Sequence, residues 1–210
     1  MSELIVAIDG PAGSGKSTVA RALADRLGWS FLDTGAMYRA LTLEALERGV
    51  DVHDTTTLAA LSASSLVRTL PRVSINGRDV EDEIRTDRVN EAVSYVAANP
   101  LVRASMVARQ REFADAQPVG TVVEGRDITT VVFPAATLKV FLSASLEERA
   151  RRRGDDEGEA SINRRDVADT TRSASPLRLA DGAIQIDTTS RDVDDVVEEI
   201  VRCLRPKTSS

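Results

Sequence analysis

Two kinds of apolar run alternate along the chain. Short, β-favouring runs occur at Ile5–Ile8, Trp29–Asp33, Gly120–Glu124, Leu138–Leu142 and Ala183–Asp187. They are four or five residues long and nearly continuous in apolar character, which predicts strands buried on both faces of a parallel sheet. Between them, apolar residues recur at helical spacing. Val19, Leu23 and Leu27 stand at i, i+4 and i+8, predicting a helix over Lys16–Leu27 that Gly28 stops. A second helix is predicted over Ala36–Glu47, closed by Gly49, and Asp54–Thr57 offers caps for a third with Leu58, Leu61 and Leu66 on one face. Asn99-Pro100 opens a helix to about Ala116, with Asn as cap and Pro in the first turn. The capping box Ser145-Leu146-Glu147-Glu148 opens another, followed by a helix over Ile162–Thr171 and an amphipathic one over Val193–Leu204. Strand, crossover helix and strand in series imply parallel, right-handed connections.

One stretch breaks this rhythm. Asn76-Gly77 stands between the alternating segments 70–75 and 78–80, the strongest short-range hairpin signal. We read Leu66–Asn99 as an inserted subdomain, a small antiparallel sheet followed by a helix over Arg88–Ala98. The expected fold class is therefore α/β: a doubly wound, parallel, five-stranded sheet carrying an antiparallel insert, in one domain over 1–210.

Composition narrows the function. Apolar residues make up 42% of the 210, enough for a core, but aromatics are only 3%, so Leu, Val, Ile and Ala must build it. A net charge of −6 argues against a nucleic-acid or membrane partner while leaving a small anionic ligand open to local arginines. The single cysteine, Cys203, excludes an internal disulfide and reads as a packed thiol in a reducing compartment. The first strand begins too early to leave room for a signal peptide, and no apolar run reaches membrane-spanning length, so the cytoplasm is expected. His53 reads as a loop residue, and no Cys/His cluster points to zinc.

The chemistry starts after the first strand. Gly10-Pro11-Ala12-Gly13-Ser14-Gly15-Lys16-Ser17 fits G-x-x-x-x-G-K-[ST] between a strand and a helix, the context of a phosphate-binding loop. Its N–H groups and the helix dipole bind phosphate, Lys16 reaches the β- and γ-phosphates, and the Ser17 hydroxyl coordinates Mg²⁺. Asp9, just before it, reads only as a strand-end turn residue and is left unassigned. Arginines gather where a parallel sheet presents ligands: Arg126 with Asp127 after the third strand, Arg39 after the second, Arg149–Arg153 after the fourth, and Arg165, Asp169 and Arg172 on one helical face before the fifth. A planar, permanently charged fork suits phosphate. Transfer to a phosphate acceptor needs no strong base, because the attacking oxygen is already anionic, and many arginines with one histidine fit that case better than transfer to an alcohol. Asp33 and Asp127 keep the alcohol case open.

Several segments together resemble the bacterial cytidylate kinases: GPAGSGKST, LDTGAMYR (32–39), DEIRT (82–86), VAANPLVR (96–103), EGRDITTVVFP (124–134), RRDVADTTRSASPL (164–177) and IDTT (186–189). The resemblance runs in order over nearly the whole chain. It implies transfer of the γ-phosphate of ATP to CMP or dCMP with Mg²⁺, in a monomer with a lid over 149–172 and an acceptor region enlarged by the 66–99 insert. By motif it implies that Gly10, Pro11, Ala12, Gly13, Ser14, Gly15, Lys16, Ser17 and Thr18 hold ATP. It assigns Thr34, Arg39, Ser94, Arg103, Arg126, Asp127, Asp169 and Arg172 to the acceptor, with Asp127 reading the cytosine amino group or ordering the arginines. Lys16, Arg126 and Arg165 serve the phosphate in transfer.

Two departures stand out. Only Gly154–Asn163 separates Arg153 from the RRD motif, where the family usually carries a longer lid. Thr129 replaces the glycine usual after GRDI or GRDM, and a β-branched residue does not readily take the φ > 0 that glycine permits. Two other readings remain at this level: another small-substrate P-loop kinase, such as one of the shikimate type, and a nucleotide-binding regulator without transfer activity.

Overall fold

The structure, a computed structural model, describes residues 4–153, 159–171 and 175–208. The chain forms two compact units, residues 1–32 with 111–210, and residues 33–110.

The first unit is built on a five-stranded sheet of β1 (Leu4–Asp9), β2 (Ser30–Asp33), β6 (Gly120–Gly125), β7 (Leu138–Ser143) and β8 (Ile184–Asp187), in the order β2-β6-β1-β7-β8. β1 pairs in parallel with both β6 and β7, in registers that set Ile8 opposite Glu124 and Val140, and β7 pairs in parallel with β8. These are the five expected strands. Central position explains the unbroken apolar sequence of β1, every residue of which is buried from Ile5 to Asp9, whereas β7 and the edge strand β8 are not buried throughout. α1 (Lys16–Leu27) and α8 (Val193–Thr208) cover one face and pack on each other. Val19, Leu23, Val196, Ile200 and Leu204 lock there against Val6, Ile8, Val122, Val140 and Ile186, with Cys203 beside them. Connections after β1 and after β7 run to opposite edges, so a topological switch point lies between these two strands, at the end where ligands bind in open α/β sheets. Gly120 is needed for a close approach: a Cβ there would stand 2.6 Å from the ring of Trp29.

The second unit holds α2 (Thr34–Glu47), α3 (Thr55–Ser64), the three-stranded antiparallel sheet β3-β4-β5 (Val67–Arg68, Ser74–Ile75, Arg78–Asp79), α4 (Asp87–Ala98) and the first part of α5 (Pro100–Asp115). The expected hairpin is present: Ile75 pairs with Arg78 around Asn76 and Gly77, both left-handed at φ 53 and 85, as a two-residue turn with primed geometry demands. The strand Val67–Arg68 has no alternating signal of its own and forms by pairing with β4. The insert buries Val73, Ile75, Val80, Ile84 and Val89 against Ala36, Ala40 and Leu43 of α2. α2 starts two residues earlier than its periodicity predicts, because the Asp33 carboxylate accepts from the Ala36 N–H at 2.8 Å and caps it. α3 is held at both ends: Asn99 Nδ2 donates to the Thr55 carbonyl, and the Arg109 guanidinium donates to the carbonyls of Ser62 and Ser65. A cation at a helix C-terminus meets both the orphan carbonyls and the dipole.

Candidate active site

The phosphate loop leaves β1 at its buried end and closes as α1 begins. Gly15 caps the helix in the left-handed region, at φ 83. Two other glycines are required by proximity: a Cβ at Gly10 would lie 2.1 Å from the Leu142 carbonyl oxygen, and one at Gly13 would lie 2.9 Å from Cβ of Arg149. Lys16 is buried and its Nζ donates to the Pro11 carbonyl at 2.7 Å, folding the side chain back over the loop. The Ser14 hydroxyl is buried with no hydrogen-bond partner among the described residues; such a group is costly unless a ligand satisfies it. The Ser17 hydroxyl donates to Glu124 Oε1 at 2.6 Å. Glu124 is buried at the end of β6. A hydroxyl beside a buried carboxylate is a hard-oxygen donor set that suits Mg²⁺. Among the described residues no group of three or more His, Cys, Asp or Glu side chains gathers for a metal, so most of such an ion's coordination would come from phosphates and water, which is its habit.

Arginines grip this loop from outside. Arg126 Nη1 donates to the Gly10 carbonyl at 3.0 Å while its Nε binds Asp169 at 2.6 Å. Burial works against the Arg126 charge, but Asp169 outweighs it and the guanidinium pKa is raised, so the group stays cationic. Arg149, on α6 (Leu146–Arg153), donates to the Ala12 carbonyl and pairs with Asp166 of α7 (Glu159–Thr171), and Asp166 accepts from the Ala12 N–H. Arg152 donates to the hydroxyl and carbonyl of Thr188, whose hydroxyl also lies 3.1 Å from the Ser14 carbonyl. Two acid–arginine pairs and a threonine therefore hold the loop's backbone in place.

Asp9 takes a part that its position alone did not reveal. It is fully buried, and burial pushes its pKa up, against the pull of the Thr129 hydroxyl and amide. Its carboxylate accepts from the N–H of Ile128 at 2.9 Å, the N–H of Thr129 at 2.8 Å and the Thr129 hydroxyl at 2.6 Å. Residues Ile128–Val132 form a single wide π-turn. Thr129 is not among the residues of positive φ, so a β-branched side chain fits where the family usually has glycine. Glu124 was also missed, although a carboxylate ending the apolar run Thr121-Val122-Val123 was a visible signal.

In the second unit, Thr34 and Arg39 lie on α2, Ser94 on α4 and Arg103 on α5. Thr34, Arg39 and Arg103 are buried and Ser94 is half-buried. Arg39 donates to the Ile84 carbonyl and to Asn90 Oδ1, which binds α2 to the start of α4. Arg103 lies over the Tyr38 ring, 5.8 Å from its centroid, and donates to the Ala97 carbonyl. In the first unit, Gly10–Thr18, Arg126, Asp127 and Asp169 share one neighbourhood, with Asp127 buried beside Arg126 and Thr18 exposed on the first turn of α1. The Arg165 side chain and the whole of Arg172 lie outside the described residues, as do 154–158 of the expected lid.

A five-stranded parallel sheet with a phosphate loop leaving its central strand and arginines on that loop defines a P-loop kinase. A solved shikimate kinase from Acinetobacter baumannii, in complex with shikimate, shares this fold at a TM-score of 0.54 and 16% identity, covering 100% of this chain and 97% of that one. A family model for cytidylate kinase matches residues 6–206. The cytidylate kinase of Geobacillus kaustophilus (strain HTA426) is 47% identical, over 96% of each chain, and that of Rhodococcus jostii (strain RHA1) is 46% identical, over 100% of this chain and 98% of its own. The chain belongs to the cytidylate kinase family, as its motifs implied, and is a phosphotransferase.

Proposed function

We propose that the protein transfers the γ-phosphate of ATP to the phosphate of CMP or dCMP, releasing ADP and CDP or dCDP, and that it acts as a cytoplasmic monomer. Family membership at 47% identity over almost the whole chain carries the reading. An anionic oxygen of the acceptor phosphate attacks the γ-phosphorus, and the bond from that phosphorus to the β–γ bridging oxygen breaks, leaving the electron pair on ADP. With a dianionic acceptor no proton has to be removed.

Gly10–Thr18 hold the donor, the loop amides and the Ser14 hydroxyl binding its phosphates. Lys16 moves from the Pro11 carbonyl to the β- and γ-phosphates. When bound, Mg²⁺ at the Ser17 hydroxyl, with Glu124 beside it, supplies charge neutralisation across those phosphates. Arg126 and Arg165 neutralise the phosphoryl group in transit. Thr34, Arg39, Ser94 and Arg103 bind the acceptor together with the 66–99 insert, Asp127 reads the cytosine amino group, and Asp169 with Arg172 reaches the pentose and phosphate. Residues 149–172 act as the lid that excludes water.

The test is ADP formation with a panel of acceptors. CMP and dCMP should turn over at least about tenfold faster than AMP, UMP or shikimate. Equal rates across the panel, or ATP binding without acceptor-dependent ADP formation, would overturn the proposal.

A further inference from the structure

Three of the hydrogen bonds described above meet on one carboxylate, and a fourth lies on the residue next to it. The segment 126–129 holds the Asp9-Gly10 pair from two sides: the Arg126 guanidinium on the Gly10 carbonyl, and the Ile128 N–H, Thr129 N–H and Thr129 hydroxyl on the Asp9 carboxylate. Asp9 and Thr129 both have zero exposure. The π-turn itself is closed by Val131 and Val132 N–H on the Asp127 carbonyl and Phe133 N–H on that of Ile128. Its first two N–H groups have no partner within the turn and need an acceptor from outside. An aspartate preceding such a turn ordinarily caps it with its own side chain. Asp127 occupies that position and makes no capping hydrogen bond to the turn; the cap comes from Asp9 on another strand.

We propose that Asp9 is a positioning residue, capping the 128–132 turn in place of Asp127 and fixing Arg126 and Asp127 in register with the phosphate loop, with the Thr129 hydroxyl as this chain's added clasp. This rests on the reading above that Arg126 and Asp127 serve the acceptor. Burying an aspartate is costly, and all three of its donors come from one turn. An apolar residue would fill the same core position without that cost, but could not hold the turn. Because Asp9 is joined by a peptide bond to Gly10, any shift of the acceptor-reading segment is passed directly to the donor loop. The contacts that Arg126 and Asp127 offer the acceptor then move with those that the loop offers the donor.

The clasp is tested with Thr129→Ala, Thr129→Ser and Asp9→Asn in the full chain. Steady-state kinetics should show Thr129→Ala raising KM for CMP by about tenfold, the worth of one buried hydrogen bond, with KM for ATP within about twofold of wild type. Thr129→Ser should restore it, and Asp9→Asn, whose amide nitrogen replaces one accepting oxygen and turns a donor toward the N–H of Ile128 or of Thr129, should be more impaired than Thr129→Ala. Amide hydrogen exchange over 126–132 reads the clasp without any substrate and should quicken about tenfold in Thr129→Ala and not in Thr129→Ser. Unchanged exchange in Thr129→Ala and Asp9→Asn overturns the proposal, even if the wild type phosphorylates CMP. Equal rises in both KM values, or no rescue by serine, reduce Asp9 to a core residue and overturn it as well. If exchange follows the pattern but the wild type forms no ADP with CMP, the clasp stands and the assigned reaction fails.

Discussion

Lys16 and Ser17 are adjacent, yet their environments differ in a way that separates their tasks. Lys16 is folded onto a carbonyl of its own loop, whereas the Ser17 hydroxyl is held by a buried carboxylate from another strand. Removing the lysine takes a charge from the donor phosphates without opening the core. Lys16→Ala is expected to lower kcat by at least about a hundredfold while circular dichroism and the melting temperature stay near wild type. Retained turnover would show that the loop does not serve the transferred phosphate. Glu124→Gln keeps shape and burial but removes the charge beside Ser17. It should raise the Mg²⁺ concentration giving half-maximal rate by about tenfold or more and leave KM for CMP near wild type. An unchanged Mg²⁺ requirement would move Glu124 out of the metal's surroundings.

At the level of elements, the sequence was most legible where a local signal and a tertiary demand agreed. Ile5–Ile8 reads as a strand because it is buried on both faces, and Asn76-Gly77 reads as a hairpin because only that turn accepts two left-handed residues in succession. Asp9 and Thr129 were illegible for the opposite reason. They are 120 positions apart, neither Asp9 as a strand-end residue nor Thr129 in place of a glycine points to the other, and only the parallel register of β1 with β6 brings them together. Asn99 is a case in between. Its cap on α5, accepting from the N–H groups of Leu101 and Val102, follows from the Asn-Pro pair, but its donation to Thr55 of α3 does not. Asn99→Ala should therefore cost about 1–2 kcal/mol in chemical denaturation; a loss well below that would mean neighbouring groups or water replace both contacts. On α6 the acid test is pH. A hydrogen bond from Arg151 above all, and one from Arg152 that joins it against desolvation, hold the Glu148 pKa at about 2, against an ordinary 4.5. The stabilisation is thus fully present above pH 4.5 and is lost as pH falls through about 2. An NMR titration of its carboxyl carbon should show that low midpoint, and one near 4.5 would mean that both arginines leave it in solution.

On the scale of the whole molecule, the residues assigned to the donor lie in one compact unit, whereas those assigned to the acceptor are drawn from both. The phosphate loop, Arg126, Asp127 and Asp169 belong to the first, and Thr34, Arg39, Ser94 and Arg103 to the second. ATP with Mg²⁺ is expected to raise the melting temperature with the logarithm of ligand concentration, the added stabilisation reaching about 2.7 kcal/mol at a hundred times Kd, and Lys16→Ala should blunt the rise. Tryptophan and tyrosine divide between the two units. The only tryptophan, Trp29, lies against Gly120 in the first unit, and the only two tyrosines, Tyr38 and Tyr95, are in the second. The protein thus carries a separate optical reporter in each half. Tryptophan emission excited at the red edge follows the sheet, and tyrosine absorbance follows the second unit. Coincident denaturation curves from the two would show that the halves melt as one cooperative body, and separated midpoints would show that one half can unfold while the other stays folded.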